Sequence, residues 1–150
     1  ENCILIIRGC GPIGYPGAAE VVNMQPPDYL LKKGISSLPC LGDGRQSGTS
    51  ESPSILNVSP EAAIGGGLSI LKNGDLIKID LTSKRVDLLL DEKDIAVRKN
   101  NTNFVFPKNQ TPWQEIARKF TGQLSNGACM DLEENYFDIA RTKGIPRDNH

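Results

Sequence analysis

Histidine is nearly missing from this chain. Its one example, His150, is the last of 150 residues, so a Ser-His-Asp triad would depend wholly on a chain end. No cysteine pair has CxxC spacing among Cys3, Cys10, Cys40 and Cys129, which argues against a self-contained zinc or iron–sulfur site. The even count would permit disulfides, but the spacing is not that of a small secreted scaffold. Four reduced thiols in an intracellular protein is the expectation. Net charge is -1, with no basic stripe for nucleic acid and no polybasic run for anionic lipid. The apolar runs are far too short to cross a bilayer. No signal peptide is expected, because Glu1-Asn2-Cys3 leads straight into a strand-like segment. A strand placed so early suggests a chain cut from something longer. There is no repeat and no low-complexity tract.

What the sequence does hold is glycine, 15 residues of it, gathered into loops. The stretch Gly42-Asp43-Gly44-Arg45-Gln46-Ser47-Gly48-Thr49-Ser50 surrounds a serine with small residues, an acid and a base. Glycines let the backbone come close to a ligand, and loops on a rigid scaffold often carry function. An ordinary surface turn has the same composition. A second loop, Gly9-Cys10-Gly11-Pro12-Ile13-Gly14-Tyr15-Pro16-Gly17, lacks the Gly-Lys-Ser/Thr ending of a phosphate-binding loop. Glu20 follows it. This acid reads either as a solvated residue at the start of a short helix, favoured by the dipole, or as a carboxylate placed to hold a cation such as Mg²⁺.

Between and beyond these loops the chain alternates strands and helices. Cys3–Ile7 and Leu38–Leu41 read as buried strands, and Ser54–Val58 as another apolar segment. Pro26-Pro27-Asp28 opens a helix running to about Lys33, stopped by Gly34. Ser59-Pro60-Glu61 supplies a cap, a proline and an early acid for a helix ending at Gly65-Gly66-Gly67. Leu68–Leu71, Leu76–Leu81 and Val86–Leu90 are expected as three antiparallel strands, the first two joined by an Asn73-Gly74 hairpin. Asp91 caps a helix from Glu92 to Lys99. Thr111-Pro112 opens another, with Trp113, Ile116, Ala117 and Phe120 spaced as one buried face. A last helix is expected from about Asp131 to Lys143, with Leu132, Tyr136, Ile139 and Ala140 inward. The length suits one α/β domain over residues 1–150, in which 101–150 form a helical extension packed on the rest.

The segments Ile7–Gly9, Pro16–Glu20, Gly42–Thr49 and Val58–Ala63, with Asn73-Gly74-Asp75 and Ile79–Leu81, resemble the C-terminal domain of the dihydroxy-acid dehydratase and phosphogluconate dehydratase family. Gln46, Ser50, Gln110–Ile116 and the ending Thr142–His150 look like the sugar-acid, pentonate-type branch. The resemblance implies a swivelling, β-barrel-like α/β domain of short mixed strands with flanking helices, similar to the mobile domain of aconitase-type enzymes. It implies a hydro-lyase that turns a sugar acid such as a pentonate into a 2-keto-3-deoxy acid. Carried over, Ser47 is the base that takes the C2 proton and Glu20 a Mg²⁺ ligand. Thr49 and His150 contact substrate, while Asp43 and Arg45 shape the loop. The family's [2Fe-2S] cluster ligands and remaining Mg²⁺ ligands lie in an N-terminal domain that this chain lacks, so turnover is not expected from these residues alone. The implied partners are that N-terminal domain and a second copy, as dimer or tetramer at full length. The implied place is the cytoplasm, or a mitochondrion in a eukaryote. Dihydroxy-acid dehydration in branched-chain amino-acid synthesis, a non-catalytic interaction domain of the same fold and a serine hydrolase built on Ser47 are the competing readings. The last lacks the Gly-x-Ser-x-Gly elbow.

Overall fold

The computed structural model describes residues 2–20, 26–48, 51–130, 138 and 141–144. Strands β1 (Leu5–Ile7), β2 (Cys40–Gly42) and β3 (Ser54–Ile55) form a parallel sheet in that spatial order. Leu5 pairs with Cys40, Ile6 with Leu41 and Ile7 with Gly42, while Leu41 also pairs with Ile55. β2 is central and buried along its whole length, as expected for a parallel strand flanked on both sides. A Cβ on Gly42 would sit 2.7 Å from the Ile7 carbonyl oxygen, so the close approach of β1 and β2 needs glycine there. Among its described residues the connection from β1 to β2 carries one helical turn, α1 (Asp28–Leu31), shorter than the helix expected to reach Lys33.

Strands β4 (Ile77–Asp80) and β5 (Arg85–Leu88) make a separate antiparallel hairpin. Both sheets are open, so the architecture is mixed α/β, and no sheet of described residues closes into a barrel. The expected three-stranded meander loses its first member. Gly67–Ile70 is a 3₁₀ turn rather than a strand, its last turn closed by Leu71 N–H donating to the Leu68 carbonyl. Arg8 explains part of this. Its Nη1 donates to the carbonyls of Leu68, Ser69 and Leu71, groups that a strand would have turned outward to a neighbour. Asn73-Gly74 does form a tight turn, held by Lys72 N–H donating to the Asp75 carboxylate. Residues 62–64, expected as a capped helix, are likewise a short 3₁₀ turn without a side-chain cap. The core gathers Leu41, Ala62 and Leu68, with Ile6, Ile55 and Ile77 packed against them.

Two helices follow. α2 (Glu92–Asn100) is capped as expected, Asp91 accepting from Asp94 N–H. Arg98 from α2 holds Asp75 through two hydrogen bonds and donates to the Ile70 carbonyl, fixing α2 against the 3₁₀ turn. α3 (Pro112–Phe120) begins in a full capping box between Thr111 and Gln114. Its expected buried face is not buried. Trp113 is 79 % exposed, and Ile116 is exposed as well. The side chains that reach the body of the protein are instead Gln114 and Arg118. Of the expected last helix, 138 and 141–143 are helical; Leu132, Tyr136, Ile139 and Ala140 lie outside the described residues.

Candidate functional site

The glycine-rich loops after β1 and β2 lie side by side through Asp43, and a second carboxylate withdrawn from solvent, Glu61, holds the first loop from the other side. Asp43 is the first residue after β2 and is 1 % exposed. Its oxygens accept from Gly9 N–H at 2.9 Å, Cys10 N–H at 3.0 Å and Ala62 N–H at 2.8 Å. A buried carboxylate is tolerated when its lone pairs are filled in this way. The expectation that Asp43 shapes the loop is met. Gly44 stands where a Cβ would lie 2.8 Å from the Cys10 Cβ, so the second loop can nest on the first.

Glu61 is the other. The sequence reads it as an early acid at the start of a helix; the structure buries it completely. Its carboxylate accepts from Ile13 N–H at 3.0 Å, Gly14 N–H at 2.7 Å and Gln123 Nε2 at 2.8 Å. Gln123 returns the contact, its Oε1 accepting from Glu61 N–H. A Cβ on Gly11 would overlap the Glu61 carboxylate, which gives that glycine its reason.

α3 completes the grip. Gln114 Nε2 donates to the Pro16 carbonyl at 2.8 Å and Arg118 Nε to the Ile13 carbonyl at 2.9 Å. The Arg118 guanidinium also lies over the Phe106 ring, 4.9 Å from its centroid. Glu61, Gln114, Arg118 and Gln123 are the site-building residues that sequence reasoning passed over. The usable signal was the polar stripe of α3, Gln114 and Arg118 four residues apart on one face.

Glu20 ends the described part of the first loop and is exposed. Residues 18–20 are irregular, and 21–25, where a short helix starting at Glu20 would run, lie outside the described residues. Ser47 is half-buried in the second loop. Arg45, two residues before it, donates from Nη2 to the Ala18 carbonyl at 3.2 Å, two residues before Glu20. The structure thus brings together the loops that carry Ser47 and Glu20. Thr49 and His150 lie outside the described residues.

An exposed carboxylate at the end of a clamped loop fits one position of a Mg²⁺ ion, which takes one or two protein carboxylates and leaves room for substrate oxygens. The described thiols do not fit an iron–sulfur cluster. No three His, Cys, Asp or Glu side chains gather into a metal-holding group among the described residues. Cys40 is buried in β2, and burial raises its thiol pKa. Burial, and then the charge of Asp43, do the same at Cys10, which disfavours the thiolate that a metal needs. No helix of the described residues is long and apolar enough to cross a membrane.

Comparison with known proteins agrees with this picture. The profile of the dihydroxy-acid/6-phosphogluconate dehydratase C-terminal domain matches residues 1–128. The D-xylonate dehydratase of Caulobacter vibrioides is 61 % identical over all 150 residues, which are 25 % of that protein. The L-arabinonate dehydratase of Rhizobium leguminosarum bv. trifolii is 47 % identical over the same 150 residues, again 25 % of its length. A dihydroxy-acid dehydratase of Campylobacter jejuni is 37 % identical over 133 residues, covering 87 % of this chain and 23 % of the relative. The chain therefore spans about a quarter of the length of these curated relatives. It belongs to the dihydroxy-acid/6-phosphogluconate dehydratase family, whose C-terminal domain it matches.

Proposed function

We propose that this chain is the C-terminal part of a hydro-lyase that dehydrates a sugar acid, a pentonate in particular, to a 2-keto-3-deoxy acid. The observation that carries the reading is the joining of the two loops. Asp43 and Arg45 of the serine loop bond to Gly9, Cys10 and Ala18 of the glutamate loop. Identity along the whole chain to a D-xylonate and an L-arabinonate dehydratase supports the pentonate over a branched-chain dihydroxy acid.

In this reading Ser47 accepts the proton from C2 of the substrate. The C3 hydroxyl leaves with its bonding electrons and combines with a proton to depart as water, matching the proton lost from C2, and the resulting enol tautomerises to the 2-keto acid. A serine hydroxyl is a weak base at neutral pH and must be activated by its surroundings. Glu20 would hold one position of Mg²⁺, which when bound would stabilise the negative charge that develops as the C2 proton leaves. Thr49 and His150 are read as substrate contacts. The [2Fe-2S] cluster of the family would be held outside this chain. The remaining pocket would come from an N-terminal domain, in a dimer or tetramer, inside the cell. The fold is read as the barrel-like swivelling domain of aconitase-type enzymes, with residues 101–150 as an extension packed on it through α3.

The test is turnover by the full-length protein on D-xylonate, L-arabinonate and a branched dihydroxy acid, followed as 2-keto acid released. Pentonate turnover is expected to exceed that of the branched acid. Ser47→Ala should lower it by about 10²–10⁴-fold, the range for a general base. Unchanged turnover in Ser47→Ala, or preference for the branched acid, would overturn the reading.

A further inference from the structure

We propose that Arg45 is a positioning residue, whose hydrogen bond to the Ala18 carbonyl sets the reach of Glu20 toward Ser47. The inference rests on the roles proposed for those two residues. It starts from how the rest of the glutamate loop is held. Gly9 and Cys10 N–H are fixed by Asp43, Ile13 and Gly14 N–H by Glu61, and the Pro16 carbonyl by Gln114. Within the loop, Tyr15 N–H donates to the Gly11 carbonyl and Ala18 N–H to the Tyr15 carbonyl. The backbone is thus tied from Gly9 to Ala18, and the Arg45 bond at 3.2 Å is the last tie before Glu20.

That tie differs from the others in origin and in cost. Asp43 and Glu61 are buried and belong to the packed body, whereas Arg45 is exposed and is not part of the core. Glu20 lies two positions after Ala18, and Ser47 two positions after Arg45. At about 3.3–3.6 Å per extended residue, each pair spans at most about 7 Å. The Arg45 side chain therefore ties together two backbone positions, each within about 7 Å of one of the proposed groups. Groups of this kind, which orient a metal ligand from outside the coordination shell, typically change metal affinity or activity by about 10–100-fold when removed.

The experiment uses the full-length protein, with Mn²⁺ as the paramagnetic stand-in for Mg²⁺. Free Mn²⁺ is measured by electron paramagnetic resonance, and turnover on D-xylonate is measured separately. Glu20→Gln sets the floor for Mn²⁺ binding. Arg45→Met is expected to weaken Mn²⁺ binding by about tenfold and to lower kcat by about 10–100-fold, with Tm within about 2 °C of wild type. Arg45→Lys should recover part of both. Wild-type Mn²⁺ affinity and kcat in Arg45→Met would overturn the proposal. So would a fall in Tm of more than about 5 °C without rescue by lysine, which would make Arg45 merely structural. A wild-type protein that dehydrates no sugar acid defeats the proposed function instead, and the Mn²⁺ titration still decides the role of Arg45.

Discussion

Replacing Glu61 by alanine removes the acceptor for three donors at once: Ile13 N–H, Gly14 N–H and Gln123 Nε2. A buried donor left unpaired costs about 1–3 kcal/mol. Three such donors would cost somewhere near 6 kcal/mol if nothing relaxed. Two effects work the other way. The carboxylate's own desolvation cost disappears with it, and water can enter the space that the side chain vacates beside a surface loop. A net loss of about 3–5 kcal/mol is the expectation, within the range for a broken buried network. For a chain of this size that is a fall in Tm on the order of 10–15 °C. Urea unfolding followed by far-ultraviolet circular dichroism gives the global figure. Hydrogen exchange read peptide by peptide gives the local one, and protection should drop first across Gly11–Ala18. A loss under about 1 kcal/mol with unchanged protection in that peptide would refute the claim that Glu61 organises the loop.

Gly66→Ala should cost about 2–4 kcal/mol in urea unfolding, because its Cβ would overlap the Pro60 carbonyl and lie 2.7 Å from the Glu61 carbonyl oxygen. Gly67→Ala next door meets nothing within 4 Å and should stay within about 0.5 kcal/mol of wild type; equal effects would reject the steric account. The hydrogen bond from Arg98, and then that from Lys72 N–H, hold the Asp75 carboxyl below its usual pKa. A depressed folded pKa stabilises above the unfolded value, about 3.9, and that contribution is lost as pH falls through the folded value. The stability gap between wild type and Asp75→Asn should thus be constant at neutral pH and close in acid below about pH 4. A gap that widens in acid would contradict the assignment. Trp113, the chain's one tryptophan, should emit as a water-exposed indole and be quenched freely by acrylamide in the 150-residue chain. A blue-shifted, protected emission would mean that the exposed face of α3 is covered.

These cases show where the sequence was readable. Local chemistry was legible: Asp91 and Thr111-Pro112 announced the starts of α2 and α3, and the β2 strand announced the loop behind it. The loop-shaping part of Asp43 came with the family resemblance. What failed depended on partners distant in the chain. Glu61 had every local mark of a helix-start acid, yet its acceptors' donors lie 47 and 62 residues away. Leu68–Leu71 had the composition of a strand, but Arg8, 60 residues earlier, took its carbonyls. The apolar period of α3 predicted its buried face, and long-range bonds from Gln114 and Arg118 to the glycine loop turned that helix the other way. Ser47 and Glu20 were identified by resemblance. The bond from Arg45 that joins their loops is tertiary and has no trace in spacing.

The reach of those bonds bears on how the molecule is born. Arg118 meets the Ile13 carbonyl across 105 positions of chain, and Gln114 meets that of Pro16 across 98. Synthesis proceeds at about 5–20 residues per second, so the nascent glycine loop must wait several seconds for α3 to emerge from the ribosome. During that interval Asp43, Arg45 and Glu61 steady it without α3. A ribosome stalled before Pro112 would display the loop half-tethered, without the two bonds that α3 brings to it.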